Sequence, residues 1–394
     1  MGRKTPLYGL FLTLIFNACK LEKHSMFIKP YFHSVFIAVA TVLVVVSCAP
    51  VADPKDRETA ADTEVLLASI LDEANEKVPG VILRVSGPDL FFDQARGFAN
   101  LETRRLMRSG STLRIGSITK TYLAALTILA ERQGLLALDD SIGLYLSQAV
   151  LDALPDGLRP TLRQLLNHTS GVPDYYDARF YLDDWKDRGP LTTELVLHAL
   201  REKKATTVPG QAFAYSNTNY HLLALILESV HRKPLVSLLE ETFLGPLGLS
   251  RTYYGISAPP GDDIHGYGSP LDPMEDTYLW QENTGPDGGM FATAEDLEVW
   301  LRALFSDRGS LADVGEIMLS DLVEESDRKH QGYGAEVLTS RRGWSVVGHT
   351  GGLDGYLTAA FYAPLRDTVL VLHMNKSDEN AFSETLGAVL RLLD

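Results

Sequence analysis

The 394-residue chain has two cysteines, Cys19 and Cys48, both before residue 50. With no C-x-x-C pair, zinc ribbons, cysteine-held iron–sulfur clusters and a disulfide framework are excluded. H-E-x-x-H is missing and the ten histidines are scattered without metal-ligand spacing, so neither a metal nor another cofactor is expected. G-x-S-x-G is missing too, which removes the strand–turn–helix serine of the α/β-hydrolases. Lys/Arg-rich runs are lacking in a chain of formal charge −15, so nucleic acid is not an expected partner. No repeat or low-complexity tract is visible. What is present, 45% hydrophobic residues, is too much for a disordered chain, and 394 residues are enough for one elaborate domain or two ordinary ones.

The apolar run Val35–Val46 contains nothing more polar than Thr41. It is shorter than the roughly 20 residues a membrane-spanning helix needs, but it suits the core of a secretory signal, with Lys29 before it and small residues after. Its exit, Val45-Val46-Ser47-Cys48, resembles the lipobox of bacterial lipoproteins. That resemblance implies cleavage before Cys48, a lipid on its sulfur, and a place on the bacterial cell envelope, anchored on the periplasmic side. A buried structural cysteine is the alternative reading. Met26 offers a second start that would give a compact signal. Residues 1–47 are therefore read as a signal region, 48–63 as a polar tether and 64–394 as the folded domain. Processing at Cys48 would remove Arg3, Lys4, Lys20, Lys23 and Lys29 against one acid, Glu22, leaving the mature chain more acidic still.

Within the domain, apolar positions 66, 67, 70, 71 and 74 predict a helix over Val65–Lys77. Strands are expected at Val81–Val85 and Leu90–Ala95, about a Gly87-Pro88 turn. A strong helix follows from Ser117 to Gln133, closed by Gly134. Helices at Leu162–Asn167, Thr193–Glu202, Asn219–Val230, Leu235–Thr242 and Ala294–Phe305 fill a helical insertion of about 139–305. The last stretch turns β-rich at Trp344–Gly348, Leu357–Ala363 and Thr368–Met374, and a helix over Phe382–Leu393 ends the chain. The fold class expected is α+β: an antiparallel sheet built from both chain ends, flanked by helices, with a largely helical inserted subdomain.

Three constellations could carry chemistry. Ser117 and Lys120 lie three apart at a helix start, so hydroxyl and amine can meet where backbone N–H groups favour an oxyanion. A second S-x-x-K, Ser326–Lys329, sits in a charged run with no apolar helix behind it and reads as solvated surface. Tyr215-Ser216-Asn217 pairs a proton-carrying phenol with an amide that both donates and accepts; a loop tyrosine and an Asn helix cap would look the same. Gly348-His349-Thr350-Gly351-Gly352 combines glycines, which admit a ligand close to the backbone, with a Thr able to hydrogen-bond a carboxylate or carbonyl. A Gly-rich turn with a polar His is its plain alternative.

In this order the three resemble the signature of the serine β-lactamase-like hydrolases, S-x-x-K, Y-x-N, then K-T-G or H-x-G, in the branch of class C β-lactamases, D-alanyl-D-alanine carboxypeptidases and esterases. The resemblance covers about residues 64–394, with Leu165–Gly171 and Gly288–Leu297 similar to framework stretches of that branch. It implies a serine hydrolase acting through an acyl-enzyme on small peptide, amide or ester substrates, most like a D-alanyl-D-alanine carboxypeptidase. A short-chain esterase, a weak β-lactamase and a non-catalytic penicillin-binding-like module are the alternatives. By resemblance Ser117 is the acylated nucleophile, Lys120 its activator and Tyr215 the proton relay; either Lys120 or Tyr215 takes the first proton. Asn217, His349, Thr350 and Gly351 would bind substrate, and the N–H groups of Ser117 and Gly352 would form the oxyanion hole. His349 stands where the β-lactamases carry a lysine, so the permanent cation facing a substrate carboxylate is missing, which disfavours β-lactam hydrolysis. Arg341 and Arg342 could supply charge or simply be surface residues, and Tyr175, Tyr176 and Trp280 could line the pocket or pack.

Overall fold

A computed structural model of the chain describes residues 54–176, 191–255, 264–269, 272–278 and 285–394. The signal region, Met26, Cys48 and Trp280 lie outside the described residues. Among the described residues no helix is long and apolar enough to cross a membrane.

Nine strands make the main sheet: β1 (Gly80–Ser86), β2 (Phe91–Asn100) and β3 (Arg105–Leu106) from the start of the domain, and β7 (Val323–Ser326), β8 (Lys329–Gln331), β9 (Glu336–Thr339), β10 (Ser345–Leu353), β11 (Tyr356–Ala363) and β12 (Thr368–Met374) from its end. The order is β3-β2-β1-β12-β11-β10-β9-β8-β7, and neighbouring pairs are antiparallel. Expected chain-end assembly is therefore what folds. Three short strands, β4 (Leu113–Arg114), β5 (Tyr253–Tyr254) and β6 (Met290–Ala292), form a second sheet that the helical reading of 139–305 did not anticipate.

Strands β11 and β12 are buried along their whole length. Both faces are covered, which is why these segments read as continuous apolar runs rather than as alternating ones. One face carries Leu83, Val85, Phe361, Leu370 and Leu372, packed with Leu67 and Leu71 of helix α1 (Pro54–Asn75) and with Phe382 and Val389 of the C-terminal helix, Glu379–Leu393. The opposite face presents Ile82, Ala360, Val369 and Val371 to a larger core containing helix α2 (Thr119–Arg132), helix α3 (Asn217–His231) and helix α4 (Ala294–Phe305). Successive residues of a strand thus serve two cores. Leu372 is fully buried; Leu372→Ala is expected to lower stability by about 2–5 kcal/mol, measurable as a fall in the urea midpoint followed by circular dichroism.

Several expectations need correction. Helix α1 starts at Pro54, so most of the stretch read as tether is helical. Residues 54–63 lack an apolar stripe, and the buried side of α1 is Leu67, Leu71 and Ala74, with Leu66 half exposed. Helix α4 packs on the sheet through β1, β11 and β12 rather than closing the insertion. Its Trp300 stacks on Tyr122 of α2 with ring centroids 3.9 Å apart, and Trp300 Nε1 donates to Thr121 Oγ1 at 2.7 Å. The charged run Glu324–His330 is a β7–β8 hairpin at the sheet edge; Ser326, Asp327 and Arg328 are exposed as a surface reading requires, whereas Lys329 is half buried. Finally, β10 continues through His349-Thr350-Gly351-Gly352 instead of ending before them.

Candidate active site

The site forms where the start of α2 meets the edge of β10. Helix α2 is preceded by one 3₁₀ turn, Gly116–Ile118, so Ser117 sits in that turn and not in the α-helix proper. Gly116 has φ +49°, and a Cβ there would lie 2.8 Å from the Gly352 nitrogen. Both the left-handed backbone and the close approach require glycine. Strand β9 pairs with β10 only from Ser345 to Gly348. Beyond that point the 3₁₀ turn lies against β10: a Cβ on Gly351 would fall 3.1 Å from the Ser117 nitrogen. The backbone amides of Ser117 and Gly352 are thereby gathered at one place.

Lys120 follows one turn later and is fully buried. Its Nζ donates to Ser117 Oγ at 2.9 Å, Asn217 Oδ1 at 2.8 Å and the Asp287 carbonyl at 2.7 Å. Three acceptors satisfy a three-donor ammonium, yet burial pushes its pKa down to about 8, against the opposing pull of Asp287, Asp174 and Glu336. Tyr215 OH donates to Ser117 Oγ at 2.8 Å. Burial holds this phenol well above the usual range, and its bond to Ser117 only partly offsets that.

A supporting layer lies behind these groups. Asn217 Nδ2 donates to Asp174 Oδ2 at 3.0 Å, fixing the amide so that its oxygen faces Lys120. Burial, reinforced by Asp287, pushes the Asp174 carboxyl up to about 7. Tyr175 OH donates to the Asp287 carboxylate at 3.1 and 3.2 Å. Behind Tyr215, the imidazole of His168 stacks on its ring with centroids 4.2 Å apart, and Ser216 N–H donates to His168 Nδ1 at 3.2 Å. His168 has φ +58°, uncommon outside glycine, and burial keeps it neutral by lowering its pKa.

His349 is buried on β10; burial lowers its pKa despite the Glu336 carboxylate 3.8 Å away, so it is a neutral imidazole at pH 7. Its Nδ1 pairs with the Thr350 carbonyl. Thr350 Oγ1 donates to Glu336 at 3.1 and 3.3 Å to the two oxygens, and Lys329 Nζ pairs with Glu336 at 3.0 Å. Burial would raise the Glu336 carboxyl, but His349, Lys329 and the Thr350 bond outweigh it and hold the group below its usual range.

The structure thus brings together Ser117, Lys120, Tyr215 and Asn217 by direct hydrogen bonds, and sets Gly351 and Gly352 against the Ser117 turn. Arg341 and Arg342 are exposed on the β9–β10 turn. Tyr175 is buried within the supporting layer, and Tyr176 OH reaches Asp354 at 3.4 Å. Asp174, Asp287, Glu336 and Lys329 were not anticipated. The first two adjoin stretches that stood out in the sequence, Leu165–Gly171 and Gly288–Leu297, and that adjacency was the available signal. Nothing comparable marks Glu336. Among the described residues, no group of three or more His, Cys, Asp or Glu side chains is placed to hold a metal ion.

The beta-lactamase family profile matches residues 67–393. The chain is 24% identical over 325 residues to penicillin-binding protein 4* of Bacillus subtilis, covering 78% of this chain and 70% of that one. It is 28% identical over 337 residues to a D-aminopeptidase of Cereibacter sphaeroides, covering 81% of this chain but 62% of that protein. The chain therefore spans less than two thirds of the D-aminopeptidase. Among solved structures, a D-stereospecific amidohydrolase from Streptomyces sp. superposes with a TM-score of 0.70 at 26% identity, over 82% of this chain and 97% of that one. With a profile match running through nearly the whole described domain, the chain belongs to the beta-lactamase family.

Proposed function

We propose that this protein hydrolyses amide, peptide or ester bonds at a D-amino-acid residue through an acyl-enzyme on Ser117. One observation carries the reading. The Ser117 hydroxyl oxygen lies at once 2.9 Å from a buried amine and 2.8 Å from a buried phenol. In the amine's neutral form Lys120 takes the Ser117 proton as Oγ attacks the carbonyl carbon. The N–H groups of Ser117 and Gly352 receive the oxyanion; Tyr215 gives its proton to the leaving group and is reprotonated from the Lys120 ammonium, which returns to the amine. Water then enters where the leaving group stood, gives its proton back along the same route and frees Ser117. With a phenol held far above neutral and an amine pushed down to about 8, Lys120 is the better first base. The D-configuration is supported by the names of the relatives, a D-aminopeptidase and a D-stereospecific amidohydrolase. An envelope location with a lipid on Cys48 is part of the proposal and rests on the Val35–Cys48 segment alone.

Purified protein treated with a fluorophosphonate should give an adduct on the peptide carrying Ser117, with turnover of D-alanine amides or esters. The same mass spectra should show Cys48 as an acylated N-terminus when the protein is made in a bacterial host. Folded protein with no Ser117 adduct and no turnover would overturn the enzymatic reading. An unmodified chain extending upstream of Cys48 would overturn the anchor.

A further inference from the structure

We propose that the Lys329–Glu336 pair turns the subsite along His349 and Thr350 against carboxylates, so that the site favours D-amino-acid amides and esters over carboxylate-terminated peptides and β-lactams. This rests on the reading of Ser117 as the acylated residue and goes beyond it, because it assigns substrate selection to two residues outside the catalytic set.

For a side chain to receive an anionic group it must aim a donor proton or a cation at it. At Thr350 the proton is already committed: Oγ1 donates to both oxygens of Glu336. What the half-buried threonine retains for a substrate is its oxygen lone pairs, which accept and do not donate. The neighbouring group on β10 is a neutral imidazole, not a cation. Glu336 itself is 2% exposed and carries a full negative charge that Lys329, the hairpin lysine, keeps in place at 3.0 Å. The cation that stabilises this carboxylate also pairs with Glu325 at 3.2 Å, so its charge is spent between two acids. A substrate carboxylate placed at Thr350 would therefore meet a committed hydroxyl and a fixed anion behind it. A carboxamide or amine there meets acceptors it can use, and an ester brings no negative charge for Glu336 to repel.

Binding separates this from catalysis. In a Ser117→Ala background, D-alanyl-D-alanine and D-alanyl-D-alaninamide differ only in the terminal group and are not turned over. Calorimetry should show the carboxamide binding about tenfold tighter, and Glu336→Gln should bring the two within about threefold or reverse them. The Gln amide can donate to Thr350 and release its proton outward. A doubly neutral Lys329→Gln/Glu336→Gln protein serves where the single change, which leaves Lys329 to Glu325, makes the fold unstable, with thermal melting as the check. The proposal falls if the carboxylate binds as tightly as the carboxamide with Glu336 intact, if the ratio is unmoved by neutralising Glu336, or if neither ligand binds. A ratio that shifts as described while wild-type protein forms no Ser117 adduct would sink the acyl-enzyme reading and leave the subsite standing.

Discussion

Lys120→Met is expected to slow acylation of Ser117 by about 10²–10⁴-fold, the usual contribution of a positioned base. Methionine fills nearly the same volume without the amine, so the effect reads on chemistry more than on packing. The loss should carry a pH signature. With the amine pushed down to about 8, roughly one molecule in ten has Lys120 neutral at pH 7. The acylation rate should then climb about tenfold per unit below pH 8 and level off above it. Lys120→Met should be slow and flat across the same range. Asp174 complicates the limb in a defined direction. Its carboxyl, pushed up to about 7, ionises in the same window, and its charge raises Lys120. The rising limb therefore belongs to the pair. Asp174→Asn removes a charge that favours the ammonium, so the limb should move to lower pH. Stopped-flow acylation by a chromogenic ester between pH 6 and pH 10, on all three proteins, checks both statements. A wild-type profile flat in this range would move the base elsewhere.

The parts of this site that were legible in the sequence are those whose chemistry needs a fixed spacing. Ser117 and Lys120 are one helical turn apart, so their contact is a local property of the chain. Tyr215 and Asn217 were recognisable only as a motif, since their place beside Lys120 comes from the packing of α2 against α3, about 100 residues away in sequence. Asp174 and Asp287 are single acids in loops, and a loop acid is ordinarily solvated; burial beneath Asn217 and Tyr175 changes what they do. Glu336 lay hidden for a further reason. Strand β7 is the edge of the sheet and β8 lies next to it, and both are short and mostly polar, without the apolar alternation that marks a half-covered strand. The run containing them read as surface, correctly for Ser326–Arg328. Only pairing in the sheet carries Lys329 inward to Glu336. In the same way the sheet's centre was visible as apolar runs, while α1's polar first half and the strand character of His349–Leu353 depend on neighbours.

Gly351→Ala should be the most damaging single-methyl change at the site. Gly351 has no unusual backbone angle; its constraint is space alone. A Cβ would lie 1.9 Å from the Ile115 carbonyl oxygen and 3.1 Å from the Ser117 nitrogen. Both neighbours are backbone, and neither can rotate away as a side-chain tip would. Either β10 withdraws or the Gly116–Ile118 turn does, and each movement separates the Ser117 amide from that of Gly352. Losing one oxyanion donor costs about 10²–10³ in turnover, and overpacking a filled site costs about 1–3 kcal/mol of stability. Gly352→Ala is the comparison: its Cβ would meet only Leu357 Cδ2 at 3.4 Å, an ordinary contact. The melting temperature of Gly352→Ala should stay near wild type while that of Gly351→Ala falls. The turnover loss should also track kcat more than KM, because the misplaced amides act on charge that develops in the transition state. Equal losses in the two variants would show that the β10 edge does not hold the serine turn in place.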